Sequence, residues 1–129
     1  MDEPIWVTEA LARTIHDRQI AEHGGESGVR DPNTLAAALG RPRNVLAYEP
    51  ENCDLARLAA AYQFGVEQNH PFVDGNKRVG LVLCGVFLRL NGCRLDAPLF
   101  GLYAMVLAVA SGELGEEAVA AWIRARAAD

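Results

Sequence analysis

The chain has 129 residues, 50% hydrophobic and 22% charged, with a net charge of −5 and a pI near 5.1. That length suggests one domain, residues 1–129, with a core that needs neither disulfides nor metal. The acidic balance argues against direct nucleic-acid binding and against adhesion to anionic membranes, which both need broad basic surface.

Strand-like alternation is nearly absent and no internal repeat is visible, so an all-α fold is expected. The first helix starts after the N-cap Thr8 and runs to about Ala21, with Leu11, Ile15, Arg18 and Ile20 on its inner side. His23-Gly24-Gly25 ends it and a flexible stretch follows. Asp31-Pro32 opens a short second helix that Gly40 closes. Residues 41–53 contain two prolines and are expected to be non-helical, with Val45 to Tyr48 as a short extended piece. Asp54 caps a third helix to about Gln68, with Leu55, Leu58, Ala59, Tyr62 and Val66 at core spacing.

A fourth helix begins around Asp74-Gly75-Asn76 and ends before Gly92. It is apolar nearly all round, so it is expected at the centre of the fold, buried over about residues 75–91. Pro98 opens a fifth helix to about Ala110, and Glu116 to Arg126 forms a sixth, with acids first and arginines last as the helix dipole prefers.

Cys53, Cys84 and Cys93 are odd in number and lack C-x-x-C spacing, which favours reduced thiols in a cytosolic protein. Cys84 and the two tryptophans, Trp6 and Trp122, read as packing residues. The acidic start has no apolar signal region, and the longest apolar run, Val79 to Leu88, is about half a bilayer span. A cytoplasmic, membrane-free protein is expected.

Chemistry concentrates in the string NHPFVDGNKR, residues 69–78. Lys77 and Arg78 stand in the first turn of an apolar helix, where the exposed N–H groups already carry positive charge. The amides of Gly75, Asn76, Lys77 and Arg78 would form an anion site, and the two cations reinforce it. Phosphate is the natural ligand, since Arg offers a fork and Lys a point charge. His70 can act as a base towards a hydroxyl. Asp74 can hold a divalent metal against phosphate oxygens, or cap the helix, and Asn76 can bond a phosphate oxygen. Together they make a phosphoryl- or nucleotidyl-transfer set. His16 and His23, seven apart, lack a third ligand for a metal site.

The string His70-Pro71-Phe72-Val73-Asp74-Gly75-Asn76-Lys77-Arg78 closely resembles the Fic/Doc signature H-x-F-x-(D/E)-G-N-x-R. His23-Gly24-Gly25, Gly28 to Asp31, Ala38-Leu39 with Arg41-Pro42, Leu58 to Tyr62, and Phe87-Leu88 with Asn91-Gly92 look like its death-on-curing branch. The resemblance implies the six-helix Fic/Doc fold, with residues 41–49 as the flap that aligns a target segment by strand-like pairing. Adenylyl-transferring members read G-N-G-R-x-x-R at the helix start. Here Lys77 replaces the second glycine and Leu81 the second arginine, which disfavours their nucleotide pose.

The resemblance therefore implies a Doc-like protein kinase that uses ATP and Mg²⁺ and passes the γ-phosphate to a threonine of elongation factor Tu. His70 would be the base. Asp74 would hold Mg²⁺ or position His70, and Gly75, Asn76, Lys77 and Arg78 would bind phosphates. An AMP transferase and a catalytically silent antitoxin-binding module are the alternatives. The self-inhibitory string (S/T)-x-x-x-E-(G/N) is absent, so control would come from a separate Phd-like antitoxin whose tail folds on binding.

Overall fold

The structure is a computed structural model describing residues 1–129. Six helices carry the chain: α1 (Glu9–His23), α2 (Pro32–Tyr48), α3 (Leu55–Asn69), α4 (Asn76–Leu90), α5 (Leu99–Ala110) and α6 (Glu116–Arg126). Local side-chain caps set the first three of their starts. Thr8 Oγ1 accepts from Leu11 N, Asp31 Oδ1 accepts from the amides of Asn33 and Thr34, and Asp54 Oδ1 accepts from Arg57 N. No helix is long and apolar enough to cross a membrane.

The second helix corrects the sequence expectation. It does not close at Gly40 but continues through Pro42 to Tyr48, so residues 41–48 are helical and no extended piece forms from Val45 to Tyr48. Leu35, Ala38, Leu39, Pro42 and Val45 are buried at helical spacing, and α2 packs along α3. Packing along that stripe outweighs the hydrogen bond that Pro42 cannot donate to Ala38 O. Two arginines reinforce the region: Arg41 and Arg57 both pair with Glu116 of α6, and Arg57 also reaches Glu49 at 3.2 Å.

A second correction concerns α1. Its inner side carries Ala12, Ile15 and His16, whereas Arg18 is exposed. A third feature went unforeseen. Two-residue strands, β1 (Arg94–Leu95) and β2 (Ala127–Ala128), pair antiparallel and tie the C-terminus to the turn after α4. Such short strands carry no legible period.

α4 packs centrally, against α1, α3, α5 and β1, as its composition suggested. Val79, Leu83, Cys84, Phe87 and Leu88 point into the core. Its remaining face stays partly open: Leu81, Val82 and Val86 are half-buried and Leu90 is exposed. α3 is the more enclosed helix, buried from Leu58 through Val66 on nearly every side. It approaches α4 closely at Gly80, where a Cβ would stand 3.2 Å from Gln63 O. The N-terminal segment is fastened across the far end. Val7 N donates to Tyr62 Oη at 3.0 Å, Asn91 bonds both backbone groups of Ile5, and Trp6 stacks near Phe87.

Candidate active site

The turn from α3 to α4 is fixed from three directions. His70 caps α3 in the left-handed region, at φ 49°, the one non-glycine residue with positive φ. That conformation costs on the order of 1 kcal/mol for a side-chain-bearing residue. Arg30 compensates: its Nε donates to His70 O at 2.6 Å and its Nη2 to Asn69 O at 2.9 Å, a cation on a helix C-terminus. Backbone bonds from Arg30 N to Pro71 O and from Val73 N to Gly28 O form a one-bridge pairing of Val29 with Phe72. Arg30 and Asp31 are thus a cap for α3 and the N-cap of α2.

His16 supplies the second tie. Its ring lies flat on Phe72, with centroids 4.1 Å apart and planes 6° off parallel. Its Nε2 donates to Asp74 O at 3.0 Å, which puts the proton on that nitrogen. Asn76 supplies the third: its Oδ1 accepts from Phe72 N and its Nδ2 donates to Phe72 O. The Asn76 side chain, expected on a phosphate oxygen, is thus engaged inside the loop, and the residue offers a ligand its backbone N–H.

Asp74 points towards the glycines after α1. Its Oδ2 accepts from Glu26 N at 3.1 Å and its Oδ1 from Gly75 N at 2.8 Å. These two amides, led by Glu26, hold its carboxyl below the ordinary range, with Arg78 and His16 adding smaller effects. Gly25, at φ 115°, is required here, because a Cβ would stand 2.7 Å from Asp74 Oδ2. The stretch read as flexible is therefore a strap for this carboxylate. Asp74 makes no hydrogen bond to the His70 ring; it bonds amides instead.

Beyond Gly75, α4 begins without a side-chain cap. The first intrahelical bond is Val79 N to Gly75 O, so the amides of Asn76, Lys77 and Arg78 have no acceptor. Gly75 N, expected among them, is held by Asp74. Lys77 is exposed, Arg78 is half-buried, and Arg78 Nη1 is buried without a partner. All of these, with exposed His70, line one cavity of about 460 Å³ that Leu81 of α4 and Tyr103, Val106 and Leu107 of α5 complete. A base, an anionic carboxylate, three free amides and two cations converge on one opening.

Known proteins give the family. The Fic/DOC family profile matches residues 6–88, from before α1 through most of α4. This chain belongs to the Fic/Doc family. It is similar to the protein kinase doc of Escherichia phage P1, with 36% identity over 111 residues covering 85% of this chain and 86% of that one. It is also similar to the toxin Doc of Mycolicibacterium smegmatis, with 39% identity over 74 residues covering 57% of each chain. Both relatives place it with the Doc type.

The sequence string named the polar cavity residues of this Doc-type chain, but neither its α5 wall of Tyr103, Val106 and Leu107 nor the fasteners. His16, Gly25, Glu26 and Arg30 act from 39 or more positions away in the chain. The signal that was present is the pairing of two glycines with a basic residue just upstream of Asp31, which reads as a turn but hides a support.

Asp74 fits a divalent cation as one ligand. Each of its oxygens accepts a single amide bond, which leaves acceptor capacity on both, and its low pKa keeps it charged. No group of three or more His, Cys, Asp or Glu side chains surrounds it, so phosphate oxygens and water would complete the shell.

Proposed function

We propose that this chain is a Doc-like toxin that phosphorylates a protein hydroxyl with ATP, the target being a threonine of elongation factor Tu in the cytoplasm. The observation that carries this reading is Lys77 at the uncapped start of α4, beside the free amides of Asn76, Lys77 and Arg78. A phosphate chain there turns an unfavourable pairing of cations with a helix N-terminus into a favourable one.

His70 is exposed on the cavity and its ring has no bonded neighbour, so it is free to take the proton of the attacking hydroxyl. The hydroxyl oxygen then bonds the γ-phosphorus while the bond from that phosphorus to the β–γ bridging oxygen breaks, releasing ADP. Lys77, Arg78 and the free amides stabilise charge on the phosphoryl oxygens. Bound at Asp74, Mg²⁺ would neutralise charge on the transferred and leaving groups. Leu81 lines the cavity where adenylyl-transferring relatives carry an arginine, which supports phosphate over AMP transfer.

Apolar surface supports a separate inhibitor of the Phd type. Leu99 and Phe100 of α5 are 80% and 79% exposed, Tyr103 and Leu107 are exposed beside the cavity, and the open face of α4 adjoins them through Leu81. A patch of this kind marks a partner site. The test is elongation factor Tu incubated with the purified protein and ATP labelled at either the γ or the α position. Transfer of γ label alone is expected. Transfer of α label alone would establish the adenylyltransferase instead, and transfer of neither with tight antitoxin binding would establish a silent module.

A further inference from the structure

The cavity at the start of α4 has two ends of opposite character. One end is ionic, with His70, Asp74, Lys77 and Arg78 beside the free amides of Asn76 to Arg78, and Arg78 Nη1 is buried there without a partner. The other end is apolar, made by Leu81, Val106, Leu107 and the Tyr103 ring. Leu81 follows Lys77 and Arg78 by one turn of α4, and Tyr103, Val106 and Leu107 share one face of α5. A single space of about 460 Å³, ample for a small organic ligand, thus grades from charge to hydrocarbon.

The apolar end is open rather than packed. Tyr103 is 65% exposed and Leu107 is exposed beside it, over a buried Val106. Leu99 and Phe100 lie outside this cavity and stay available to a protein partner. The end has almost no capacity for hydrogen bonds. α5 is helical from Leu99 to Ala110, which spends the backbone groups of its cavity-facing turn internally. Among the side chains, Tyr103 Oη is the one polar atom that Leu81, Tyr103, Val106 and Leu107 bring. Such a surface cannot hold phosphate, but it can hold a flat aromatic group.

We propose that the apolar end seats the base of a nucleoside triphosphate on the Tyr103 ring, and that this seat does not distinguish one base from another. The proposal rests on the phosphate-binding reading of the α4 start and gives the bound triphosphate a direction. Its phosphates lie along Asn76 to Arg78 with the γ-phosphate towards His70, and its nucleoside leads away past Leu81. An arginine at position 81 would hold phosphate at that end, whereas leucine offers surface to a ring. Discrimination between bases needs fixed donors and acceptors at the base edge. A ring face and a rotating hydroxyl, which both donates and accepts, meet every base alike. The chain selects the triphosphate and not the base.

The experiment is calorimetric titration of wild type, Tyr103→Phe and Tyr103→Ala with the magnesium complexes of ATP, GTP, CTP, UTP and inorganic tripolyphosphate. Wild type is expected to bind the four nucleotides within about tenfold of one another, in the order of their stacking strength. Tyr103→Ala should weaken all four by about tenfold and leave tripolyphosphate unchanged, while Tyr103→Phe should bind them like wild type. A preference of wild type for ATP beyond about tenfold would overturn the indifference to base. Undiminished nucleotide binding by Tyr103→Ala, or an equal loss of tripolyphosphate, would overturn the seat. Either result would leave the kinase reading standing. Absence of binding of both ATP and tripolyphosphate by wild type would overturn that reading as well.

Discussion

The loop before α4 and the end of α2 are held in opposite ways. In the loop, backbone groups of residues 69–75 are met by side chains: from far away in the chain by His16 on Asp74 O and Arg30 on the carbonyls of Asn69 and His70, and from within the loop by Asn76 on both groups of Phe72. The end of α2 is held by one buried stripe and by arginine–glutamate pairs, with Tyr48 at its tip 86% exposed. Chemistry that requires sub-ångström placement sits on the over-determined segment. The segment expected to meet a protein target turns Pro42 and Val45 inward and leaves Tyr48 free at its tip.

The sharpest difference between the regions is catalytic. His70→Ala should reduce transfer by at least about 10²-fold, with thermal unfolding unchanged, because the ring makes no structural bond while its backbone keeps the cap. A rate assay beside a melting curve separates the two effects. An Ala at residue 70 that kept full activity would remove the loop's claim to be the site.

Next come the fasteners. Asn76→Ala strips Phe72 of both partners in a buried setting and should cost about 2–3 kcal/mol in urea unfolding, with activity falling alongside. Arg30→Ala should cost about 1–2 kcal/mol by uncovering the end of α3. If either variant unfolded like wild type, the loop would be no better fixed than α2.

Glu67→Gln should stabilise the protein. The folded carboxyl titrates near 8 rather than near 4.5, so the folded state prefers the protonated form. The stability it allows is fully present below about pH 4.5 and is lost as pH rises through about 8. The variant should therefore melt higher than wild type at pH 8, by on the order of 5 °C, and equally at pH 4. The smallest effect is expected at the other region: Tyr48→Ala should change stability by less than about 0.5 kcal/mol. Any effect of that substitution should fall on KM for the protein target rather than on kcat.

Legibility in the sequence follows the range of the interactions. Helix starts at Thr8, Asp31 and Asp54 were readable because each cap bonds an amide two or three residues on. The end of α2 was misread because Gly40 and Pro42 are local breakers, whereas the stripe that overrides them acts through α3. Within the site, the residue types at 70–78 could be read directly, but the atoms left free could not. Asn76 and Gly75 N were expected on phosphate, yet Phe72 and Asp74 hold them. Those partners depend on the loop's fold, and so do His16 and Glu26, which lie about 50 residues upstream of Asp74.

The most direct test of the central claim, that a phosphate chain lies at the uncapped start of α4 and is read by Lys77, is Lys77→Gly assayed with γ-labelled ATP. Loss of one charge-assisted phosphate contact should lower γ-phosphate transfer about tenfold or more, with unfolding changed little at this exposed position. Undiminished γ-phosphate transfer by the variant would contradict the account.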